Sequence, residues 1–298
     1  MSLWRDTGDH LLILGDFMDL LALLTEGKVE EFNMRRDAGV RLDFFAADLA
    51  GLNLKGVDLT GANLQKADLS NTDLSEAELT QTDLSGADLT ETKLNNVSAM
   101  RSRWRDAYLG EADLSDADLM GADFTDADFT DAKAPRVILS GARLKRAIFH
   151  RADLTAADLA EARLPDADLS GANFQGAQMR EVDLSRATLK GTKLGATDLT
   201  RARLSNADLS QADLAGASLN SADLSSAILT GALVKGADFR WAKLPAGLAA
   251  VCTFVGAGAG GLGLMALAWT TGFSAGVWAG ALVGTTAFLG AAARTSGV

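Results

Sequence analysis

Side chains suited to proton transfer, nucleophilic attack or metal binding are sparse in this 298-residue chain: two histidines, His10 and His150, and one cysteine, Cys252. No local spacing assembles a Ser-His-Asp or Cys-His arrangement. No His/Cys cluster has the short separations of a zinc site. No GxxxxGK[ST] or GxGxxG loop joins a strand to a helix, and the glycines of 256–263 fall in an uncharged stretch. The many aspartates raise calcium as a possible chemistry. They alternate outward along a repeat, however, and the Gly-rich nonapeptide of a calcium roll is missing, so solvation of a surface is the better reading. The sequence therefore predicts no enzyme, no bound metal and no cofactor.

Charge narrows the partners. A net charge of −11 argues against direct nucleic-acid binding, which needs clustered Lys and Arg. An acidic surface can instead imitate DNA toward a DNA-binding protein. A single cysteine excludes an intramolecular disulfide and fits a reducing compartment. The early apolar run LLILGDFMDLLALL is interrupted by Asp16 and Asp19. It lacks a basic leader and a cleavage site, so it is not a signal peptide.

The elements that would position any site come from a repeat. From Phe44 to Leu244 a large apolar residue recurs every five positions without insertion or deletion, almost always Leu or Phe. The exceptions are Ala99, Trp104, Ala134, Met179 and Val234. Two positions earlier stands a small residue, usually Ala; only Leu42 and Leu52 are large there. Inward-type residues thus alternate at spacings of two and three. On a helix a five-residue step smears the stripe around the cylinder, and on a straight strand a spacing of three flips the face. The pattern works if each unit is a short extended side followed by a corner. Four sides then close a square coil, and stacked coils pair as parallel strands about 4.8 Å apart. About ten coils make a rod on the order of 50 Å long. The narrow interior admits one large and one small residue per side. The Asp or Asn before each Leu faces outward, and Pro135 and Pro165 fall at corners.

The units ADLSDADLMGADF and ADLSQADLAGASL resemble those of pentapeptide-repeat proteins, A-(D/N)-L-x-x. The resemblance implies an all-β solenoid, a right-handed quadrilateral β-helix, and is nearly silent on function. The stretch LLTEGKVEEFNMRRDAG is similar to the helical leader of many such proteins, and is expected to cover the open apolar end of the solenoid. Leu11, Leu14, Met18 and Leu21 lie at helical spacing for that task. The expected organisation is a helical cap over 1–41, the β-helix over 42–244, and a third segment over 245–298.

That third segment carries no charge from Ala246 to Ala293. A span needs about 20 apolar residues, so two transmembrane helices are predicted, over about 247–269 and 274–293. Trp241, Trp269, Phe273 and Trp278 fall near the ends, as an aromatic belt requires. Lys235, Arg240, Lys243 and Arg294 predict both termini and the β-helix on the cytoplasmic side, and the family resemblance implies that the membrane is a bacterial inner membrane. Gly256 and Gly260, and Gly276, Gly280 and Gly284, repeat at four-residue steps. They allow close packing of the hairpin on itself, self-association, or packing against the spans of a membrane complex.

Departures from the repeat are where a partner would bind. In VSAMRSRWRDAYLG the regular pattern gives way to Arg101, Arg103, Trp104, Arg105 and Tyr108, types favoured at interfaces. Farther on, an acidic run ending at Asp131 switches to Lys133, Arg136, Arg143, Lys145, Arg146 and Arg151, with Ile138 and Ile148 at outward positions. Arg136, Ile138, Arg143 and Ile148 thus join the candidate docking residues, although a change of sign between stacked like charges explains the basic switch equally well. The reading that unites these features is a membrane-anchored, non-catalytic scaffold that recruits or braces a protein partner, alone or as an accessory subunit of a membrane complex. The alternatives are a glycine-rich membrane-permeabilising effector and a DNA-mimicking topoisomerase inhibitor.

Overall fold

The computed structural model describes residues 14–36 and 42–246, all within one compact unit. From Asp43 onward each outward residue pairs in parallel with the residue twenty positions later: Asp43 with Asn63, Asp48 with Asp68, and so on to Asp223 with Lys243. The interior is a square column of stacked coils, a quadrilateral β-helix. Each side contributes one bridging residue, because a corner follows before a continuous strand can form. One side shows the pattern. Leu49 N–H donates to the Asp68 carbonyl at 2.8 Å, Asp68 N–H to Ala47 at 2.9 Å, and the corner N–H of Gly51 to Ser70 at 2.8 Å.

The corners explain the variable positions. Ala47 N–H donates back to the Phe44 carbonyl at 3.1 Å, closing a turn whose third residue, Ala46, has φ of 54°. Every equivalent residue through Trp241 is also left-handed. Glycine suits this position; Asp126 and Asn206 hold it as well, being among the side chains that tolerate it best.

The outward aspartate does more than solvate. Asp68 Oδ1 accepts both the N–H and the hydroxyl of Ser70, at 3.0 and 2.7 Å. Asp128 holds Thr130 in the same way, at 2.8 and 2.6 Å. These are Asx turns, which satisfy the corner N–H that the ladder leaves over. Pro135, Pro165 and Pro245 each stand two residues after a Lys or Arg: Lys133, Arg163 and Lys243. A corner that lacks the carboxylate acceptor has there lost the donor too.

Leu and Phe fill the core opposite Ala, buried throughout the middle coils and only partly so in the last one. Where Thr replaces Ala its hydroxyl finds a carbonyl one coil back, as Thr82 Oγ1 does on Leu59 at 2.8 Å. An aromatic column runs through the middle coils. Trp104 stacks on Phe124 at 5.3 Å, Phe124 meets Phe129 at 5.0 Å, and Phe129 stacks on Phe149 at 4.5 Å.

Two helices lie against the first coil. α1 spans Leu14–Thr25 and α2 spans Val29–Arg35. A glycine stop separates them: Gly27, at φ +70°, lets Lys28 N–H reach the Leu23 carbonyl at 2.8 Å and Gly27 N–H reach Leu24 at 3.0 Å. Leu20, Leu23, Leu24 and Phe32 are buried, and Phe32 meets the Phe44 ring at 6.4 Å. The expected covering residue Leu21 is only partly buried; the helix presents the neighbouring ridge inward. Leu11 and the side chains of Leu14 and Met18 lie outside what is described. Polar clasps complete the contact. Asn33 donates to the Gly56 carbonyl and accepts from Asp58 N–H, both at 2.9 Å. The buried guanidinium of Arg36 bonds the carbonyls of Asp58 and Thr60 and pairs with the Asp58 carboxylate.

The two helices expected over 247–269 and 274–293 lie outside the described residues, and with them Trp269, Phe273, Trp278, Gly256, Gly260, Gly276, Gly280 and Gly284. Among the described residues no helix is long and apolar enough to cross a membrane.

Candidate functional site

The twenty-residue register gives every surface residue a side. We number the sides from the outward residues Asp43, Asp48, Asn53 and Asp58, each continued in steps of twenty. Arg103, Arg105 and Arg143 share the first side, with Arg101 at the corner leading into it. Tyr108 and Ile148 stand on the second side and Ile138 on the fourth. Arg136 occupies the corner before the fourth side. The fold thus brings four of the candidate docking residues together and distributes the others around the rod.

Trp104 cannot touch a partner. It is wholly buried, and its indole N–H donates to Ser102 Oγ. It belongs to the core, stacked on Phe124, and the preceding side carries the small Ala99 where a Leu is usual. Ala134 likewise adjoins an aromatic side, here the one before it, where Phe129 stacks on Phe149. Both missing leucines accompany aromatic packing.

The basic switch after Asp131 is largely neutralised along the corners. Arg136 grips Asp116 with two hydrogen bonds, at 2.6 and 2.5 Å, and Arg146 grips Asp126 likewise. Arg151 pairs with Asp131, and Arg186 with Asp166. Hydrogen bonds from these guanidinium groups hold the carboxyls of Asp116, Asp126, Asp131 and Asp166 below the usual carboxylate range. Arg136 is therefore engaged within the rod, and sign compensation accounts for it.

Other arginines are not ion-paired, although Arg105 acts on Asp126 at longer range. Among the described residues, Arg101, Arg105, Arg143 and Arg163 make no ion pair. Arg143 and Arg163 are direct ladder neighbours. A shallow groove of about 460 Å³, lined by Gly61, Gln81, Asp83, Arg101 and Arg103, opens at the same edge of the rod. Burial would raise the Asp83 carboxyl, but bonds from Ser85 and Gln65 bring it below its ordinary value. Arg103 reaches it at 3.6 Å.

Among the described residues, exposed apolar side chains group at two places on the rod, beside single exposures at Met34, Phe45 and Tyr108. Met100 and Met120 lie one above the other on the fourth side, both exposed, beside half-buried Ile138. In the last coil Ile228, Leu233 and Trp241 project outward, with 51%, 61% and 85% of their surface accessible. Trp241 holds a left-handed corner, φ 62°, a rare conformation for so bulky a residue. Outward apolar residues at three positions of one coil were a readable signal in the sequence. Among the described residues no grouping of His, Cys, Asp and Glu is arranged to hold a metal ion.

The sequence profile of pentapeptide repeats matches in 8 copies over residues 41–75, 58–96, 105–141, 147–186, 183–220 and 207–245, more than half of the chain. No curated protein matches. Among solved structures the chain is similar to HetL, a pentapeptide-repeat protein involved in heterocyst differentiation regulation in the cyanobacterium Nostoc sp. strain PCC 7120. The identity is 30%, covering 80% of this chain and 99% of HetL, with a TM-score of 0.42. QnrB1, a plasmid-mediated fluoroquinolone resistance protein, is 22% identical over 58% of this chain and 94% of its own, with a TM-score of 0.49. Rfr23 from the cyanobacterium Cyanothece 51142 is 33% identical over 31% of this chain and 63% of its own, with a TM-score of 0.30. The five-residue period, the parallel ladder of twenty-residue register and the matched profile lead to one assignment: the chain belongs to the pentapeptide-repeat family.

Proposed function

We propose that the protein is a non-catalytic scaffold held at a membrane, presenting a rigid rod of about ten coils to a protein partner. The observation that carries this reading is the apolar girdle of the last coil. Ile228, Leu233 and Trp241 are exposed at the end of the rod from which the uncharged stretch Ala246–Ala293 departs. Elsewhere the outward positions of the repeat are mostly polar or charged, and an outward Leu or Ile gains nothing from water. Beside a lipid interface all three are favourable, tryptophan especially. The stretch that follows is long enough for two spans, and Arg240 and Lys243 at its start favour the cytoplasmic face. The helices at the other end close the apolar column and leave its sides free. Those sides offer a surface that needs little ordering on binding, and the Met100–Met120 pair on the fourth side is the apolar part of it.

Fractionation of bacterial cells tests the anchor. The full chain should stay with the membrane through an alkaline carbonate wash, and a chain ending at Ala246 should be released. Release of the full chain by the wash would overturn the anchor. Retention of the full chain but release of a variant carrying Ile228→Asp, Leu233→Asp and Trp241→Ala would show that the girdle contributes.

A further inference from the structure

Ion pairing along this rod follows a simple rule, and its exceptions converge. Among the described residues the repeat arginines at 103, 136, 146, 151, 186, 201 and 203 each find a carboxylate twenty residues earlier, one coil below. Arg180 and Arg240 pair with Asp198 and Asp238. Among the described residues Arg101, Arg105, Arg143 and Arg163 make no ion pair, and all four belong to the first side and the corners that bound it. Lys145, also without an ion pair, stands on the same side.

Arg143 and Arg163 are successive rungs of one ladder, so two guanidinium groups start about 4.8 Å apart. Like charges directly opposite destabilise a sheet. The rung below Arg143 is Asp123, whose Oδ1 accepts the N–H and hydroxyl of Thr125, at 3.1 and 2.6 Å, and Arg143 makes no ion pair with it. Pro165 follows Arg163, so this corner has also dispensed with the aspartate that its neighbours use. The corner acids Asp126 and Asp166 are engaged by Arg146 and Arg186, with Arg105 and Lys145 acting on Asp126 only at longer range. Asp106, Asp123 and Glu161 are the acids of this window without an ion pair, against five such cations in a chain of net charge −11.

Resting on the scaffold reading, we propose that the first side between Arg101 and Arg163 is the docking surface for an extended, acidic segment of a partner protein. The surplus covers three coil steps, about 15 Å along the rod, the length of about five extended residues. An extended chain presents alternate side chains to one face, and guanidinium forks suit carboxylates. The surface is flat and narrow. A nucleic-acid duplex would overhang the second side, whose rungs beside this window include Asp128 and Asp168, and would be repelled there.

The test is fluorescence anisotropy of a labelled twelve-residue polyglutamate peptide with the full chain in detergent micelles. Saturable binding that weakens with salt is expected. Arg143→Gln with Arg163→Gln should weaken it about tenfold or more, with the melting temperature unchanged or raised because the like-charge rung is gone. Arg143→Lys, which keeps the charge, should retain most of it. Lys133→Gln with Lys193→Gln, unpaired lysines of the third side, should change it by less than about twofold. Absence of saturable binding would overturn the proposal, and so would equal losses in the first- and third-side variants. Stronger competition by duplex DNA or by anionic lipid vesicles than by unlabelled polyglutamate would assign the surface to those ligands instead. The carbonate wash reads the anchor and this peptide reads the first side, so either idea can fail without the other.

Discussion

At the residue scale the rod is a lesson in how one position serves two purposes. The outward aspartate looks like a solubilising group, yet it holds a corner N–H and often a hydroxyl. Hydrogen bonds from Ser70, Ser210 and Ser225 keep the carboxyls of Asp68, Asp208 and Asp223 below their usual range. Each therefore gives up its proton more readily in the folded rod than in the unfolded chain. Stability from these corners is fully present at neutral pH. It is lost as pH falls below about 4 and through the depressed folded values, because the unfolded state takes up protons first. Urea melts between pH 7 and pH 3 should show a steady fall in midpoint over the acidic part of that range. A midpoint flat to pH 3 would remove the corner carboxylates from the account. Trp104 makes the complementary point about interiors. Trp104→Ala should cost about 3–5 kcal/mol in equilibrium unfolding while leaving partner binding on the first side intact, since the ring never reaches the surface.

At the scale of elements the two ends of the coil stack are treated differently. At the N-terminal end, α1 and α2 are held by side chains of α2 and its C-terminus: Phe32 on Phe44, Asn33 on the backbone of Gly56 and Asp58, and Arg36 on Asp58 and Thr60. Removing a charged group from a buried set of hydrogen bonds costs about 1.5–3 kcal/mol. Arg36→Ala should therefore release the helices locally. Amide exchange in 14–36 should accelerate while the middle coils keep their protection, as expected for a stack whose units contact only neighbours. Uniform acceleration along the rod would contradict that. At the other end Leu229, Val234, Phe239 and Leu244 are only partly buried, so exchange should already be faster there in the unaltered protein. The coil was legible in the sequence, because inward spacings of two and three allow no helix and no straight strand. The clasp of Arg36 was not, because nothing in the local pattern links it to residues more than twenty positions away. Trp104 stood at an inward position in the repeat, and interface preference for its residue type was a weaker guide than that register.

For the whole molecule, charge is organised by column, and this was only half visible beforehand. The sequence shows a basic switch near residue 133. Whether a given arginine is neutralised depends chiefly on what stands twenty residues away. The pairs Arg136–Asp116 and Arg146–Asp126 become readable once the register is applied to corner residues as well as outward ones. The same arithmetic isolates Arg143 and Arg163. Hence the acidic molecule carries one side where cations outnumber their partners, flanked by the second and fourth sides, whose outward columns are the most acidic.

The unbroken five-residue register has a consequence for heredity. In most proteins a short in-frame duplication disrupts packing; here, duplicating one unit between Asp131 and Ala132 would add a side and turn everything after it by a quarter revolution. Arg143 and Arg163 would then stand on a different side from Arg101 and Arg105, with the core pattern preserved. Duplicating four units would restore their alignment at a greater separation. The gene can thus rotate one part of a binding surface against another in discrete clicks, a mode of variation that substitution alone does not provide.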